Sequence, residues 1–298
     1  MRHLWLLSSL GFIAAPALAA PVVNGTKDAQ YGSALAVQTV NTGFGDNSSE
    51  MDAGYAVVDS GRLYLMLTGN VEANFNRLEI WIDSKAGGQS VFDSSGNDNA
   101  NRMDGLKFDA GFTADYHVIA RRGTDTGNQK FDLDFANLGT QSASGYLDIL
   151  AGSGLDGAGS TGTGVNGTPI EVGYNDSNIA GVDGTAPTAA NQAAAAAVTT
   201  GLELSFALSD LGYAGGPINI MVAQNGGGHD FFSNQTLGGL TAPQGNLGGD
   251  GNGNFTGTAP IDFTLFSGNQ YFTVVPEPSS VAFAAIALAG ILQRKRRR

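Results

Sequence analysis

The chain holds few groups able to do acid–base or ligand chemistry, and their spacing can be weighed one set at a time. Two histidines lie in its body, His117 and His229; the third is His3. A Ser-His-Asp relay could recruit either, but no G-x-S-x-G elbow is present to aim a serine. His117 alternates with Tyr116 and Val118 in a strand-like run and reads as a structural or surface residue. His229 follows Gly226-Gly227-Gly228 and precedes Asp230, a flexible run that could present an imidazole and a carboxylate to a ligand or metal. The other reading is a turn with a capping histidine. Glu79 and Glu203 fall on the less apolar faces of two strand patterns, where a glycosidase could use them as acid and base. Solvated strand faces account for both, so no catalytic residue is assigned and a non-enzymatic protein is expected.

Metal chemistry is limited to hard ligands. There is no cysteine, which removes thiolate catalysis and thiolate metal sites, and no H-E-x-x-H or paired-histidine spacing supports zinc. Calcium fits the loops better, since Asp, Asn and backbone oxygens abound there. In the stretch opening at Asp93, oxygen side chains fall at Asp93, Ser95 and Asn97, with Asp104 at the twelfth position; Asp98 stands where an EF-hand needs glycine. Gly248 to Phe255 has the look of one calcium β-roll nonapeptide, with Gly253 in place of the liganding aspartate. Loop calcium at Asp93, Ser95, Asn97 and Asp104, or at His229 and Asp230, is kept as a minor expectation, and no cofactor is required. Tyr64 and Trp81 are the candidate sugar-stacking aromatics, on condition that their strands are neighbours. They could equally lie under a loop or a second layer.

Strands must position these groups. In Arg62 to Thr68, Leu63, Leu65 and Leu67 face one way while Tyr64, Met66 and Thr68 face the other, and both faces are apolar enough to be covered. Arg77 to Asp83 repeats the pattern, with Leu78, Ile80 and Ile82 packing and Glu79, Trp81 and Asp83 on a half-wet face. Gly201 to Leu208 is the best strand of the second half. Ala151 to Thr168, dominated by Gly, Ser and Thr, reads as a flexible surface excursion, and Ala193 to Ala197 as part of a short docked helix. Many short strands between Gly/Asn turns, without helical periodicity or a fixed repeat, predict an all-β fold: an antiparallel β-sandwich, jelly-roll or DOMON-like, with Gly/Asn-rich loops, spanning residues 20–273 as one domain.

Charge excludes some partners. Without its two termini the chain keeps nine Lys and Arg against 26 Asp and Glu, a net charge of −17. All nine cations lie between Lys27 and Lys130, while Phe131 to Val275 has none against twelve acids. Nucleic acid and anionic lipid are repelled by such a half. Cations, neutral sugars or basic partners stay open, and solubility alone explains the carboxylates.

The termini carry addresses. Arg2 and His3 precede the apolar run Leu4 to Ala15, and Ala17-Leu18-Ala19 supplies an A-x-A site, so residues 1–19 read as a signal peptide with an N-terminal signal helix. At the other end Pro276-Glu277-Pro278 is followed by a short apolar helix, Val281 to Leu292, and by Arg294-Lys295-Arg296-Arg297-Arg298. Twelve residues give roughly 18 Å of helix against a hydrocarbon core of roughly 30 Å, a transient membrane stop whose basic flank stays cytoplasmic.

This arrangement, residues 274–298, resembles the PEP-CTERM sorting signal of Gram-negative bacteria. The resemblance implies processing by an exosortase near Pro276-Glu277-Pro278, passage through the secretion machinery with a transient inner-membrane intermediate, and delivery to the cell surface or extracellular matrix. The body of the chain is similar to PEP-CTERM surface proteins in Leu67 to Asn70, Asn74 to Ile80 and Gly227 to Asp230. It more diffusely resembles DOMON-like sandwiches, including family 9 carbohydrate-binding modules, in Asn24-Gly25 with Asp28, Asp59 to Thr68, Ile80 to Asp83 and Thr200 to Glu203 running into Leu211-Gly212. The resemblances imply a structural or adhesive surface protein. A carbohydrate-binding module for exopolysaccharide is the alternative, and a glycoside hydrolase comes third.

Overall fold

A computed structural model of the chain describes residues 19–152, 156–256 and 261–276. Its strands, in order, are β1 (Ala36–Val37), β2 (Glu50–Asp59), β3 (Arg62–Asn70), β4 (Asn74–Asp83), β5 (Tyr116–Asp125), β6 (Asn128–Asn137), β7 (Ser142–Gly152), β8 (Gly157–Ser160), β9 (Glu171–Tyr174), β10 (Gly201–Ala207), β11 (Ile218–Asn225), β12 (Phe232–Leu237) and β13 (Phe272–Val274). They form two antiparallel sheets, the expected sandwich. The first runs β1-β2-β3-β10-β9-β8; the second runs β12-β11-β4-β5-β6-β7, with β13 also on β11.

Turn chemistry explains the hairpins. Asp59 pairs with Arg62 across Ser60 and Gly61, and Asp125 with Asn128 across Thr126 and Gly127, all four turn residues having positive φ. Two-residue turns of this hand match the twist of the strands they join. A six-residue helix, α1 (Gln192–Ala197), is capped by Asn191, whose side chain accepts from the Ala194 amide.

The sandwich is covered on both outer faces, so it has three cores. Between the sheets lie Leu63, Leu65 and Leu67 of β3, Leu78, Ile80 and Ile82 of β4, and Leu202, Leu204 and Phe206 of β10. Outside the first sheet, Tyr64 and Met66 pack with Tyr31, Ala53 and Tyr55 under the N-terminal segment. Outside the second sheet, Trp81 packs among Phe92, Ala100, Met103 and Phe108, which belong to the long connection between β4 and β5.

That third core corrects several expectations. The face of β4 bearing Glu79 and Trp81 is not half wet: both are fully buried, because the β4–β5 connection folds back across it. Tyr64 and Trp81 sit in different sheets and under different layers, so they form no shared platform for a sugar. From Asp156 to Thr168 the chain is more ordered than its composition suggests. β8 pairs with β9, and the buried Asn166 amide donates to Thr161 Oγ1, Gly162 O and Thr168 O, replacing apolar burial with local hydrogen bonds. Val274 belongs to the sandwich rather than to the tail, since it pairs with Ile218 and is buried.

Among the described residues no helix is long and apolar enough to cross a membrane. Ala17, Glu277, Pro278 and the stretch from Val281 to Arg298 lie outside the described residues. Trp81→Ala is expected to cost about 3–5 kcal/mol of stability in urea titrations. An unchanged midpoint would show that Trp81 is not part of a packed core.

Candidate functional site

Period-two alternation places Arg77, Glu79 and Trp81 of β4 on the outer face of the second sheet, beside His117, Ile119 and Arg121 of β5 and Asp132 and Asp134 of β6. Register makes them neighbours: Trp81 pairs with His117, Arg77 with Arg121, Arg121 with Asp132, and Asn225 of β11 with Arg77. The loop after β11 then brings His229 down onto this face, with φ +56 at His229. From above, the β4–β5 connection supplies Asp98, also left-handed, from a 3₁₀ turn at Asn97–Met103.

Glu79 is the hub. Its Oε2 faces His117 Nε2 at 2.9 Å, and its Oε1 faces His229 Nδ1 at 2.6 Å and accepts from Asn225 Nδ2 at 3.1 Å. His229 Nε2 in turn lies 3.1 Å from Asp98 Oδ2, which accepts from Arg77 Nε at 2.8 Å and from Arg121 at 3.2 Å. Arg121 also binds Asp134. Burial alone would raise the Glu79 carboxyl. The His229 charge and hydrogen bonds from both histidines instead hold it well below the usual carboxylate range. Asp98 is likewise held down, to about 2, its burial outweighed by His229 and Arg77. Burial works against a charged His229, yet Glu79 and Asp98 push it up to about 9. Ionised carboxylates only accept, so each ring nitrogen facing one carries a proton, and His229 is an imidazolium. The His117 ring stacks on Trp81 at 5.1 Å between centroids. Glu79 and both histidines are completely buried.

The other predicted acid, Glu203, is also buried rather than solvated, on the outer face of the first sheet. Its carboxylate accepts from the Asn24 and Gly25 amides at 2.8 and 3.1 Å and from the Tyr31 hydroxyl at 2.7 Å, clamping the N-terminal segment. Gly25 has φ +79, and a Cβ there would meet the Tyr174 backbone at 2.4 Å, so the clamp needs glycine. With Glu79 on one sheet and Glu203 on the other, each under its own cover, the two face no common cleft.

The proposed calcium ligands do not converge. Asp104 Oδ1 accepts from the Ser94 amide, Ser95 Oγ donates to Asn97 Oδ1, and Asp230 pairs with Arg102 at 2.9 Å, while His229 turns to Glu79. Asp93 contributes its carbonyl to Gln89 and Gln141. Within the stretch, Asn97–Met103 forms a 3₁₀ turn, and Ser95 and Asn97 bond each other just before and at its start. Among the described residues, no group of three or more His, Cys, Asp and Glu is arranged to hold a metal.

A second acidic group lies at the same end of the sandwich. Glu50 and Asp52 both accept from Asn178 Nδ2, at 3.0 and 3.1 Å. Burial pushes their carboxyls up, to about 7 and about 8. Phe44, Phe231 and Phe255, from three separate loops, form a row: Phe44 to Phe231 is 6.1 Å with planes 19° apart, and Phe231 to Phe255 is 5.7 Å with planes 23° apart. Phe255 is 68% exposed. Phe44 also lines a groove of about 720 Å³ bounded by Asp46, Gly184, Pro187 and Asn246. Single phenylalanines in Gly/Asn-rich loops leave no periodic trace in the sequence.

Comparison of the chain with family models, curated proteins and solved structures finds no match.

Glu79→Gln removes the charge opposing His229 and is expected to cost about 3–5 kcal/mol. His229 holds its proton more tightly folded than unfolded, so its contribution is full below pH 6.5 and is lost as the pH rises through about 9. The stability gap between wild type and His229→Gln should therefore shrink across that interval in urea titrations. A pH-independent gap would mean that His229 is not charged in the folded protein.

Proposed function

We propose that this chain is an exported, non-enzymatic β-sandwich of structural and adhesive type, destined for the cell surface or extracellular matrix of a Gram-negative bacterium. One observation carries the non-enzymatic reading: the buried titratable groups are committed to structure, Glu50 and Asp52 to Asn178 and the others to one another. Both oxygens of Glu79 are bound, both ring nitrogens of His229 face carboxylates, and all of these lie beneath a covering layer. A general acid or base has to reach a substrate proton within hydrogen-bond range.

Sorting rests on the termini. The A-x-A site ending at Ala19 fits cleavage by the secretion machinery, and Pro276-Glu277-Pro278 with its apolar stretch and basic end fits an exosortase substrate held briefly in the inner membrane. β13 ends at Val274, two residues before Pro276, so a cut near that triplet spares every strand of the sandwich. A net charge of −17 for the remaining chain, counted from the sequence, favours a soluble product that avoids nucleic acid.

Intact mass of the exported protein tests this reading. Cells with the sorting protease should yield a product lacking about residues 1–19 and the tail after the Pro276 region, and cells without it should retain the tail. Identical masses in both would overturn exosortase processing.

A further inference from the structure

The row of phenylalanines has no folding reason to be where it is. Phe255 is 68% exposed, Phe44 and Phe231 are only half-buried, and none of the three belongs to the three cores. Three loops far apart in sequence nevertheless bring these rings into near-parallel contact at one end of the sandwich. The groove beside them is built in advance. The Asn246 amide donates to Gly43 O at 3.2 Å, Gly43 N donates to Asn234 Oδ1 at 2.9 Å, Gln244 N to Pro187 O at 3.0 Å, and Thr42 N to Asp183 O at 2.8 Å. These bonds tie the three walls, so a ligand need not order them on binding.

We infer that the groove lined by Phe44, Asp46, Pro187 and Asn246, with the adjoining Phe231–Phe255 row, is a binding site for a neutral polysaccharide. The inference rests on the adhesive reading above and names the ligand class it would use. Three features select that class. The lining mixes ring surface with exposed polar groups, which suits a ligand having both C–H faces and hydroxyls better than a purely apolar segment. Glycines at 45, 184 and 245 line it with no side chain of their own, so the backbone itself forms part of the wall. Exposed Asp46 at the groove and exposed Asp183 beside it repel polyanions, and no Lys or Arg lines it, so uronate-rich or sulfated chains are disfavoured.

Affinity electrophoresis of the exported protein against dextran, a mixed-linkage β-glucan, mannan, galactan and alginate tests the site. Retardation by at least one neutral polymer is expected, with none by alginate. Phe255→Ala and Phe44→Ala should each weaken it about tenfold, while Phe255→Trp should keep or strengthen it. Circular dichroism melts of the same variants should stay at the wild-type temperature, because Phe255 lies outside the cores. The inference fails if no neutral polymer retards the protein, if alginate alone does, or if the alanine variants bind as wild type does. It also fails if sedimentation shows self-association that Phe255→Ala abolishes without any glycan binding, which would assign the row to a second copy of the chain. None of these outcomes alters the intact-mass result, so sorting and glycan recognition stand or fall separately.

Discussion

A carboxylate with no access to water sits at the centre of this molecule, and the layout around the second sheet follows from keeping it ionised. An isolated buried carboxylate would cost several kcal/mol, and the cost is offset only when good geometry and hydrogen bonds fill its lone pairs. Glu79 meets the requirement with two histidines and an asparagine drawn from β5, the loop after β11, and β11 itself. Bringing His229 to Glu79 forces that loop into a left-handed residue. Satisfying the far nitrogen of His229 requires Asp98, and Asp98 in turn requires Arg77 and Arg121. The network thereby pins the β4–β5 connection to the sheet it covers. Hydrophobic burial of Trp81, Phe92 and Phe108 supplies bulk attraction in the same layer, and the ionic chain fixes where the layer sits.

The uneven charge distribution has a related cause. Every cation of the described residues is engaged, and several partners lie far along the chain. Arg62 pairs with Glu171, Arg102 with Asp230, Lys107 with Asp262 and Arg122 with Asp176, while Lys27 and Lys85 lie over the rings of Tyr55 and Tyr116. Cations from the first half thus tie down acids from the second. A chain without disulfides gains long-range contacts this way, although the exposed pairs contribute little each. Exposed carboxylates such as Asp46, Asp156 and Asp183 give the surface its acidity.

Much of the fold was legible because strand alternation is a local property. Leu63, Leu65 and Leu67, and Leu202, Leu204 and Phe206, face the inter-sheet core as their spacing requires. What alternation cannot reveal is whether the opposite face meets water or another layer. A charged residue on a strand usually meets water; Glu79 and Glu203 are buried because a distant segment brings matching donors, the His229 loop to Glu79 and the Asn24-Gly25 entry to Glu203. His229 stands out in the sequence for its glycine run, yet its partner Glu79 is 150 residues away. Asp98 was noted only as the residue that spoils a calcium loop, and that same side chain closes the ion network.

The two ends of the sandwich hairpins are not equivalent. At the Ser60-Gly61 end, β2 and β3 close in a two-residue turn, as β5 and β6 do at Thr126-Gly127 at the opposite end. At the other end, β2, β4, β10 and β12 begin and β3 and β11 stop, so long loops converge there, rich in the Gly and Asn that look like disorder in the sequence. Asn47 and His229, non-glycine residues with positive φ, lie in these loops, as Asp98 and Asn99 do in the β4–β5 connection. Left-handed backbone at such residues persists only where surrounding contacts over-determine it. Here the contacts are the ion network below and the tied groove walls above. A rigid, hydrogen-bonded loop cluster carrying exposed aromatic rings is therefore the part of this molecule least explained by folding alone, and the part best prepared to meet a ligand.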